Sequence, residues 1–252
     1  MSDPQPPADW KDHFSHASDD YRRWRPGYPA RLFSWLAVVA PGRDLAWDCA
    51  TGNGQAAGGL AQHFARVVAT DASEAQLAEA EPHERVEYRT APAEASPLES
   101  ASADLVTVAQ ALHWFDIERF HREARRVLKP GGVIAEWGYG LAWIDPAFDH
   151  LIRHFSEVTL AGYWPPERAL VEAAYEGVEF PFEPIDVPPF AMQARWDLER
   201  FFAYLGTWSS VNAYRRKNGT DPLPRFRDEL APLWGDAERE IRWPLVIRVG
   251  RA

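Results

Sequence analysis

The amino-acid sequence predicts a doubly wound α/β fold, in which helices cover both faces of a mostly parallel sheet. Between residues 45 and 137, short apolar runs alternate with stretches of helical spacing, and a glycine-rich turn follows the first run. Parallel strands are joined by crossover connections, usually helices, and burial on both faces makes such strands continuously apolar. The alternation therefore indicates a parallel sheet between two layers of helices.

Each element of this fold has its own signal. A helix over residues 29–40 begins with Pro29, which suits a first helical turn, and ends before a Pro-Gly pair. Further helices are predicted over residues 73–80 and over residues 116–128, where apolar side chains recur at helical spacing. The predicted strands are residues 45–47, 67–71, 86–89, 104–109 and 133–137.

The alternation stops after residue 138. The apolar stretch 182–192 contains Pro184, Pro188 and Pro189. Because proline has no amide hydrogen for a neighbouring strand, a strand here belongs at the edge of a sheet. The remaining predicted elements are helices over residues 145–160, 166–175, 197–216 and 223–233, and a last strand over residues 241–252.

The composition narrows the class of partner. Lys and Arg total 27 against 37 Asp and Glu, a net charge of −10, which disfavours nucleic acids and membrane surfaces. The start of the chain is polar and is expected to be disordered up to about residue 10, with no secretory signal, and no apolar run reaches the ~18 residues of a membrane span. We therefore expect a cytoplasmic protein, and the oligomeric state stays open.

Metal chemistry has little support in the sequence. Cys49 is the single cysteine, so neither an internal disulfide nor a cysteine-cluster metal site can form. His150 and His154 have helical i, i+4 spacing but lack the glutamate of a zinc protease helix. We therefore predict no metal site.

The chemistry is expected at the turn after the first strand. Gly52 and Gly54 permit a tight turn and a close approach of the backbone to a ligand. Asp71 follows Asp48 by 23 residues, at the end of the second strand, where an acid can bind both hydroxyls of a ribose. The sequence therefore predicts a site for a ribose-containing cofactor.

Two cofactors suit this arrangement. The spacing from Gly52 to Ala57 also matches the dinucleotide fingerprint, whose pyrophosphate would place an anion at the turn. S-adenosylmethionine instead has an ammonium and a sulfonium, which the carboxylate of Asp48 would attract. Asp48 therefore favours S-adenosylmethionine over a nicotinamide dinucleotide.

The pattern resembles class I S-adenosylmethionine-dependent methyltransferases with a type 11 methyltransferase domain. Residues 48–54 look like the first motif of this family, with Ala50 in place of its first glycine, and residues 128–132 look like the turn before its fifth strand. The resemblance implies a Rossmann-like sheet of seven strands. It also implies a set of residues that bind the cofactor: Tyr21, Arg25, Asp48, Ala50, Thr51, Gly52, Gly54, Gln55, Asp71, Ala72, Ala93, Glu94, Gln110 and Ala111.

Three segments outside that core are similar to small-molecule methyltransferases related to trans-aconitate methyltransferase: residues 21–29, 111–115 and 207–214. In such enzymes the N-terminal segment covers the cofactor, and the region after the fifth strand forms a lid over the substrate. This implies four parts of the chain: a cover segment (residues 1–28), a cofactor-binding core (29–138), a lid insertion (139–240) and the final strand (241–252).

The acceptor of the methyl group stays open at this point. A carboxylic acid would arrive ionised and would need a cation to orient it, for which Arg25, Arg195 and Arg215 are candidates. A hydroxyl or an amine would benefit from a base, and His113 follows the fourth strand, where it serves either as that base or as a pocket wall. Aromatic residues that suit a substrate pocket are Trp114, Trp143, Tyr163, Trp164 and Trp208.

The resulting functional prediction is an S-adenosylmethionine-dependent methyltransferase that acts on a small organic molecule, with O-methylation of a carboxylic acid as one form. An NAD-dependent oxidoreductase and a non-catalytic S-adenosylmethionine-binding protein are the alternatives, because a fold alone does not determine function.

Overall fold

The computed structural model describes residues 24–252, and Tyr21 and the rest of the first 23 residues lie outside this range. The helices are α1 (Ala30–Val39), α2 (Gln55–Leu60), α3 (Glu74–Ala78), α4 (Ile117–Val127), α5 (Pro146–His154), α6 (Arg168–Glu172), α7 (Leu198–Gly206), α8 (Ser209–Asn218) and α9 (Leu223–Trp234). The strands are β1 (Leu45–Cys49), β2 (Arg66–Asp71), β3 (Val86–Thr90), β4 (Ala103–Ala109), β5 (Leu128–Tyr139), β6 (Glu183–Pro184), β7 (Ala191–Trp196) and β8 (Arg239–Arg251).

The strands form a mostly parallel sheet in the order β3-β2-β1-β4-β5-β8-β6. The first five of these strands are parallel to their neighbours, whereas β8 runs antiparallel to β5 and to β6. The predicted seven-stranded, doubly wound class is therefore confirmed. β6 is two residues long and lies at the edge of the sheet. Pro184 has no amide hydrogen, and at the edge it interrupts no hydrogen bonding between inner strands.

Side chains on the central strands alternate between two cores. Leu105 and Val133 pack with α1 and α2 on one face of the sheet. Val106 and Ile134, one residue further on, pack with α4 on the other face. This period of two in a fully apolar run is why β4 and β5 lie in the middle of the sheet.

Residues 139–240, the region predicted to form the lid and called the lid below, have a third core, built largely from aromatic rings. Tyr204 contacts the rings of Trp196, Trp208 and Trp243 at centroid distances of 5.6, 5.9 and 5.4 Å. The indole of Trp243 donates to the Tyr204 hydroxyl at 3.0 Å. Trp196, Trp208 and Trp243 are therefore packing residues of this core.

Strand β8 joins the lid to the sheet. Its first half, Arg239 to Pro244, pairs with β7, and its second half pairs with β5. The strand therefore begins at Arg239, before the predicted start at residue 241, because the lid extends the ladder outward.

Two predicted helices have different limits in the structure. The helix expected over residues 197–216 is broken between α7 and α8, where Trp208 takes extended backbone angles and Thr207 donates its hydroxyl to the carbonyl of Tyr204. The helix expected over residues 145–160 ends at His154 and continues as one wider turn, Phe155–Thr159. Among the helices between residues 24 and 252, none is long and apolar enough to cross a membrane.

A buried ionic cluster ties β5 to β8 and α4. Glu136 accepts hydrogen bonds from Arg248 at 2.7 Å and from His121 at 2.6 Å, and its side chain is 1% exposed. Arg248 also donates to the carbonyl of Val178 in the lid. These hydrogen bonds to Glu136 therefore replace the contacts with water that its carboxylate lost on burial.

Replacing Arg248 by leucine should lower the free energy of unfolding by about 3 kcal/mol or more, because Glu136 would keep a buried charge without its guanidinium partner. Urea denaturation measures the change. Arg227→Leu is the matched control, since Arg227 pairs with Glu199 on the surface, and it should cost less than about 1 kcal/mol. Equal losses in the two variants would contradict a structural role for the buried cluster.

Candidate functional site

The predicted site residues converge on one edge of the sheet. Parallel strands β1, β2, β4 and β5 end there, and ligands of doubly wound sheets bind at the carboxyl ends of strands. Asp48 lies at the end of β1, Asp71 ends β2, and Gln110 follows β4. The topology alone therefore brings together residues up to 62 positions apart in sequence.

Asp48 is fully buried and is held by two hydroxyls. Its carboxylate accepts hydrogen bonds from Thr51 at 2.5 Å and from Thr107 at 2.7 Å. Burial raises the pKa of Asp48 to about 6, and the hydrogen bonds from the two threonines act in the opposite direction. A cationic ligand near this carboxylate would favour its charged form.

The turn after β1 uses left-handed backbone at three positions. The φ angles are +52° at Ala50, +57° at Gly52 and +84° at Gly54. A Cβ at Gly54 would lie 2.4 Å from the hydroxyl of Tyr88, so a side chain there would collide with β3. Ala50 adopts a left-handed angle even though alanine disfavours it, which is backbone strain at the centre of the predicted motif.

Asp71 holds the turn from the next strand. Its two carboxylate oxygens accept the backbone N–H groups of Gly52 at 2.8 Å and of Ser73 at 2.9 Å. Burial raises the pKa of Asp71, while these backbone hydrogen bonds act to lower it. Asp71 therefore fixes the shape of the glycine turn, and the predicted site residue Ala72 follows it directly.

The residues after β3 and β4 are also fixed by local hydrogen bonds. Gln110, at φ +55°, accepts from the backbone N–H of Tyr139 at 2.7 Å and donates to its carbonyl at 3.1 Å. Glu94 accepts the N–H of Asp116 at 3.0 Å. The amide of Gln110 thus joins the ends of β4 and β5, while the predicted site residues Ala93 and Ala111 are buried beside them.

The last residues of the cover segment lie against both the core and the lid. Gln55 donates to the carbonyl of Pro26 at 3.3 Å. Arg25 donates to the hydroxyls of Tyr139 at 2.8 Å and of Thr207 at 3.0 Å. Arg25 therefore links the cover segment, the end of β5 and the break between α7 and α8.

His113 lies in a short 3₁₀ turn, Leu112–Trp114, just beyond β4. Its Nδ1 lies 3.4 Å from the hydroxyl of Tyr175, and its ring is 4.8 Å from that of Trp114. Burial lowers the pKa of His113 to about 4, and the charge of Arg168 acts in the same direction. The imidazole is therefore neutral at physiological pH.

The structure groups some of the lid aromatics and separates others. Trp164 and Trp208 pack with their ring centroids 5.2 Å apart, and the guanidinium of Arg168 lies 3.7 Å from the centre of the Trp164 ring. Tyr163 packs on Tyr214 next to this pair. Trp143 is set apart, because it is 55% exposed and its backbone pairs with β8.

The candidate cations differ in their surroundings. Arg195 is exposed on β7, and Arg215 forms an ion pair with Asp221 at 2.8 Å. Arg168 was not predicted; it donates to Glu172 at 2.8 Å, its side chain is 18% exposed, and its charge lowers the pKa of His113. Within residues 24–252, no group of three or more His, Cys, Asp and Glu side chains is placed to hold a metal ion.

Sequence reasoning also missed Thr107 and Tyr175. Thr107 had a usable signal, since it is a polar residue inside an apolar strand that neighbours the strand of Asp48 in a doubly wound sheet. Tyr175 had none, because its contact with His113 depends on a left-handed turn at the end of α6.

These features define a class of protein. A doubly wound sheet with a strained acidic and glycine-rich turn at the end of β1, and a second acid at the end of β2, is typical of α/β proteins that bind a nucleoside-containing cofactor at this edge.

Comparisons with known proteins specify the family. Residues 47–135 match the family described as a methyltransferase domain. A Dictyostelium discoideum protein assigned to the methyltransferases is 33% identical over 235 residues, covering 91% of this chain and 89% of its own length. A malonyl-[acyl-carrier protein] O-methyltransferase of Dechloromonas aromatica is 39% identical over 146 residues, about half of each chain. A solved structure from Anaeromyxobacter dehalogenans, described as a type II methyltransferase, is 47% identical, with a TM-score of 0.85, over 90% of this chain and 97% of that one.

The chain belongs to the class I S-adenosylmethionine-dependent methyltransferases. The predicted enzyme class and cofactor are thereby confirmed, and the NAD-dependent alternative is set aside. The predicted relationship to trans-aconitate methyltransferase has no counterpart among these matches and stays a prediction.

The raised pKa of Asp48 predicts a pH dependence of stability. A carboxyl group whose pKa is higher in the folded than in the unfolded chain contributes stability below about pH 4 and loses it as the pH rises through about 6. Relative to Asp48→Asn, the wild-type protein should therefore lose about 2 kcal/mol of unfolding free energy between pH 4 and pH 7.

Urea denaturation at a series of pH values measures this difference. Asp236→Asn, which changes an exposed carboxylate, should follow the wild type throughout. A constant difference between wild type and Asp48→Asn would mean that Asp48 has an ordinary pKa.

Proposed function

We propose that the protein transfers a methyl group from S-adenosylmethionine to an oxygen of a small organic acceptor, with carboxylic acids as the favoured class. The observation that carries this proposal is the position of Arg168. Its charge lowers the pKa of His113, and its guanidinium packs on the ring of Trp164. A carboxylate arrives already ionised, so it needs orientation and a desolvated pocket more than it needs a base. The name of the Dechloromonas relative, an O-methyltransferase, agrees with oxygen as the acceptor atom.

The residues around the glycine turn fit the cofactor. The buried carboxylate of Asp48 suits the cationic methionine end, and the turn leaves no side chain at Gly52 or Gly54 to block it. Asp71 has acceptor oxygens for the ribose, and Ala93 and Glu94 would flank the adenine. The charge of Asp48 disfavours a pyrophosphate at this turn, which is consistent with the family assignment.

When bound, S-adenosylmethionine supplies a methyl group that its sulfonium has already activated for in-line displacement. The residues of this chain then contribute positioning and the exclusion of water. Arg168 would orient the acceptor carboxylate, and the rings of Trp114, Trp164 and Trp208 would form its apolar walls. Tyr163 lies next to these walls, whereas the exposure of Trp143 gives it the weakest claim to the pocket.

The cover segment and the lid would close this site together. Arg25 and Pro26 already contact the end of β5, the turn helix α2 and the break before α8. Such contacts support a closed form in which residues 24–28 cover the cofactor, with the lid of residues 139–240 above the acceptor.

Asp71→Asn should weaken the binding of S-adenosylmethionine roughly ten-fold or more, because a hydrogen bond to a charged acceptor contributes about 1–3 kcal/mol. Isothermal titration calorimetry with S-adenosylmethionine and its demethylated product measures the effect, with NAD as a ligand that should not bind. Glu87→Gln is the control, since Glu87 lies on the neighbouring strand and pairs with Arg66. Unchanged affinity in Asp71→Asn would remove Asp71 from the cofactor site.

Arg168→Leu should raise KM for the acceptor about ten-fold or more and leave cofactor affinity unchanged, since the lost interaction is a charge-assisted contact with the substrate. The assay is transfer of a labelled methyl group to panels of carboxylic acids, phenols and amines. Arg195→Leu removes an exposed arginine and should behave like the wild type. Methyl uptake by amines alone would overturn the choice of carboxylic acids.

A further inference from the structure

Tyr175 and His113 form a buried pair beyond the end of β4. The Tyr175 side chain is 3% exposed and that of His113 is 9% exposed, and the phenol oxygen lies 3.4 Å from His113 Nδ1. Within residues 24–252, each of these two side chains makes this one hydrogen bond and no other. The second ring nitrogen, Nε2, is therefore left for a ligand.

The direction of this hydrogen bond follows from the proton inventory. A buried hydroxyl must donate its hydrogen, because an unsatisfied buried donor is strongly destabilising. Burial raises the pKa of Tyr175, so the phenol keeps its proton, and burial lowers the pKa of His113 to about 4, so the ring is neutral. Nδ1 must then accept, and the single ring proton lies on Nε2.

The charged neighbours leave this assignment in place. Arg168 disfavours a proton on both ring nitrogens, and Glu167 opposes it only as a smaller effect. The charge of Glu136 raises the pKa of Tyr175 and the charge of Arg248 lowers it, and Glu136 has the larger effect. Both groups of the pair therefore stay neutral near pH 7.

We propose that Tyr175 is a positioning residue that holds His113 as a neutral Nε2–H hydrogen-bond donor, directed at an oxygen of the methyl acceptor. His113 then orients a lone-pair-bearing oxygen, such as that of a carboxylate, and does not take a proton from a hydroxyl or an amine. The acceptor part of this inference rests on the proposed function, whereas the tautomer is a property of the protein alone.

The backbone supports the role of Tyr175. Ala174 and Tyr175 have φ angles of +53° and +57°, a strained conformation for residues other than glycine. The surroundings over-determine it: the Tyr175 amide donates to the carbonyl of Leu170 at 2.8 Å, and the Arg248 guanidinium lies 5.3 Å from the ring centre. Contacts with α6 and β8 therefore hold this strained backbone in place, which indicates that the phenol is required at this position.

Nitrogen NMR of the protein labelled at histidine tests the tautomer without any substrate. His113→Gln identifies the signals of His113, and the wild type should show a protonated Nε2 and an unprotonated Nδ1. In Tyr175→Phe the donor to Nδ1 is gone, so the tautomer signals should shift towards a mixture. Tyr88→Phe, which removes a phenol on β3 that donates to Glu81, should leave them unchanged. A proton on Nδ1 in the wild type, or signals that ignore Tyr175→Phe, would overturn the proposal.

Activity separates the two parts of the inference. With an acceptor from the panel above, His113→Gln should keep at least ten-fold more kcat/KM than His113→Leu, because the glutamine amide still offers an N–H near the position of Nε2. At saturating S-adenosylmethionine, whose positive charge keeps Asp48 ionised, the wild-type kcat should be flat between pH 6 and 8. A wild-type kcat that rises with the deprotonation of a base between pH 6 and 8, together with His113→Gln as inactive as His113→Leu, would overturn the donor role. Thermal unfolding of each variant verifies that it is folded, and loss of methyl transfer to every acceptor with the tautomer intact would count against the proposed function alone.

Discussion

The buried carboxylate of Asp48 is the constraint on which the site depends. Thr51 belongs to the glycine turn and Thr107 to β4, so the two hydroxyls that stabilise this charge also fix the turn against the sheet. Asp71 adds a second hold on the same turn through the amide of Gly52. The contacts that offset part of the cost of burying this acid therefore also shape the candidate cofactor site, in which Ala50 keeps a strained backbone angle.

The proposed acceptor site is held together by different interactions. Its residues come from the turn after β4 and from α6 and the lid, and they are held by aromatic packing and by one arginine, Arg168. Packed rings exclude water but have little chemistry of their own, so selectivity depends on a few polar atoms: a guanidinium, an imidazole N–H and a phenol. The proposed cofactor and acceptor sites are therefore built from separate parts of the fold, which meet at the edge of the sheet.

The sequence predicted where the candidate cofactor residues lie in the fold better than where the candidate acceptor residues lie. Asp48, the glycines and Asp71 sit within one βαβ unit, where spacing along the chain determines position in space. The lid had no such rule. The break at Trp208 depends on its extended backbone and on the contacts of Thr207, and the contact of Tyr175 with His113 depends on a left-handed turn, neither of which hydrophobic periodicity can reveal. Trp143 is a pocket candidate by residue type alone, and the structure leaves its side chain 55% exposed.

Strand β8 has a consequence for how such enzymes can be recombined. Because its first half pairs with β7 and its second half with β5, one continuous backbone belongs to both the lid and the core. A graft that exchanged the lid at residue 240 would cut through the ladder between Arg195 and Glu240 and divide a shared hydrogen-bonded unit. A new acceptor specificity is therefore best transplanted with β7 and the outer half of β8 as a single block, which leaves the join at Pro244, where the ladder to β7 ends.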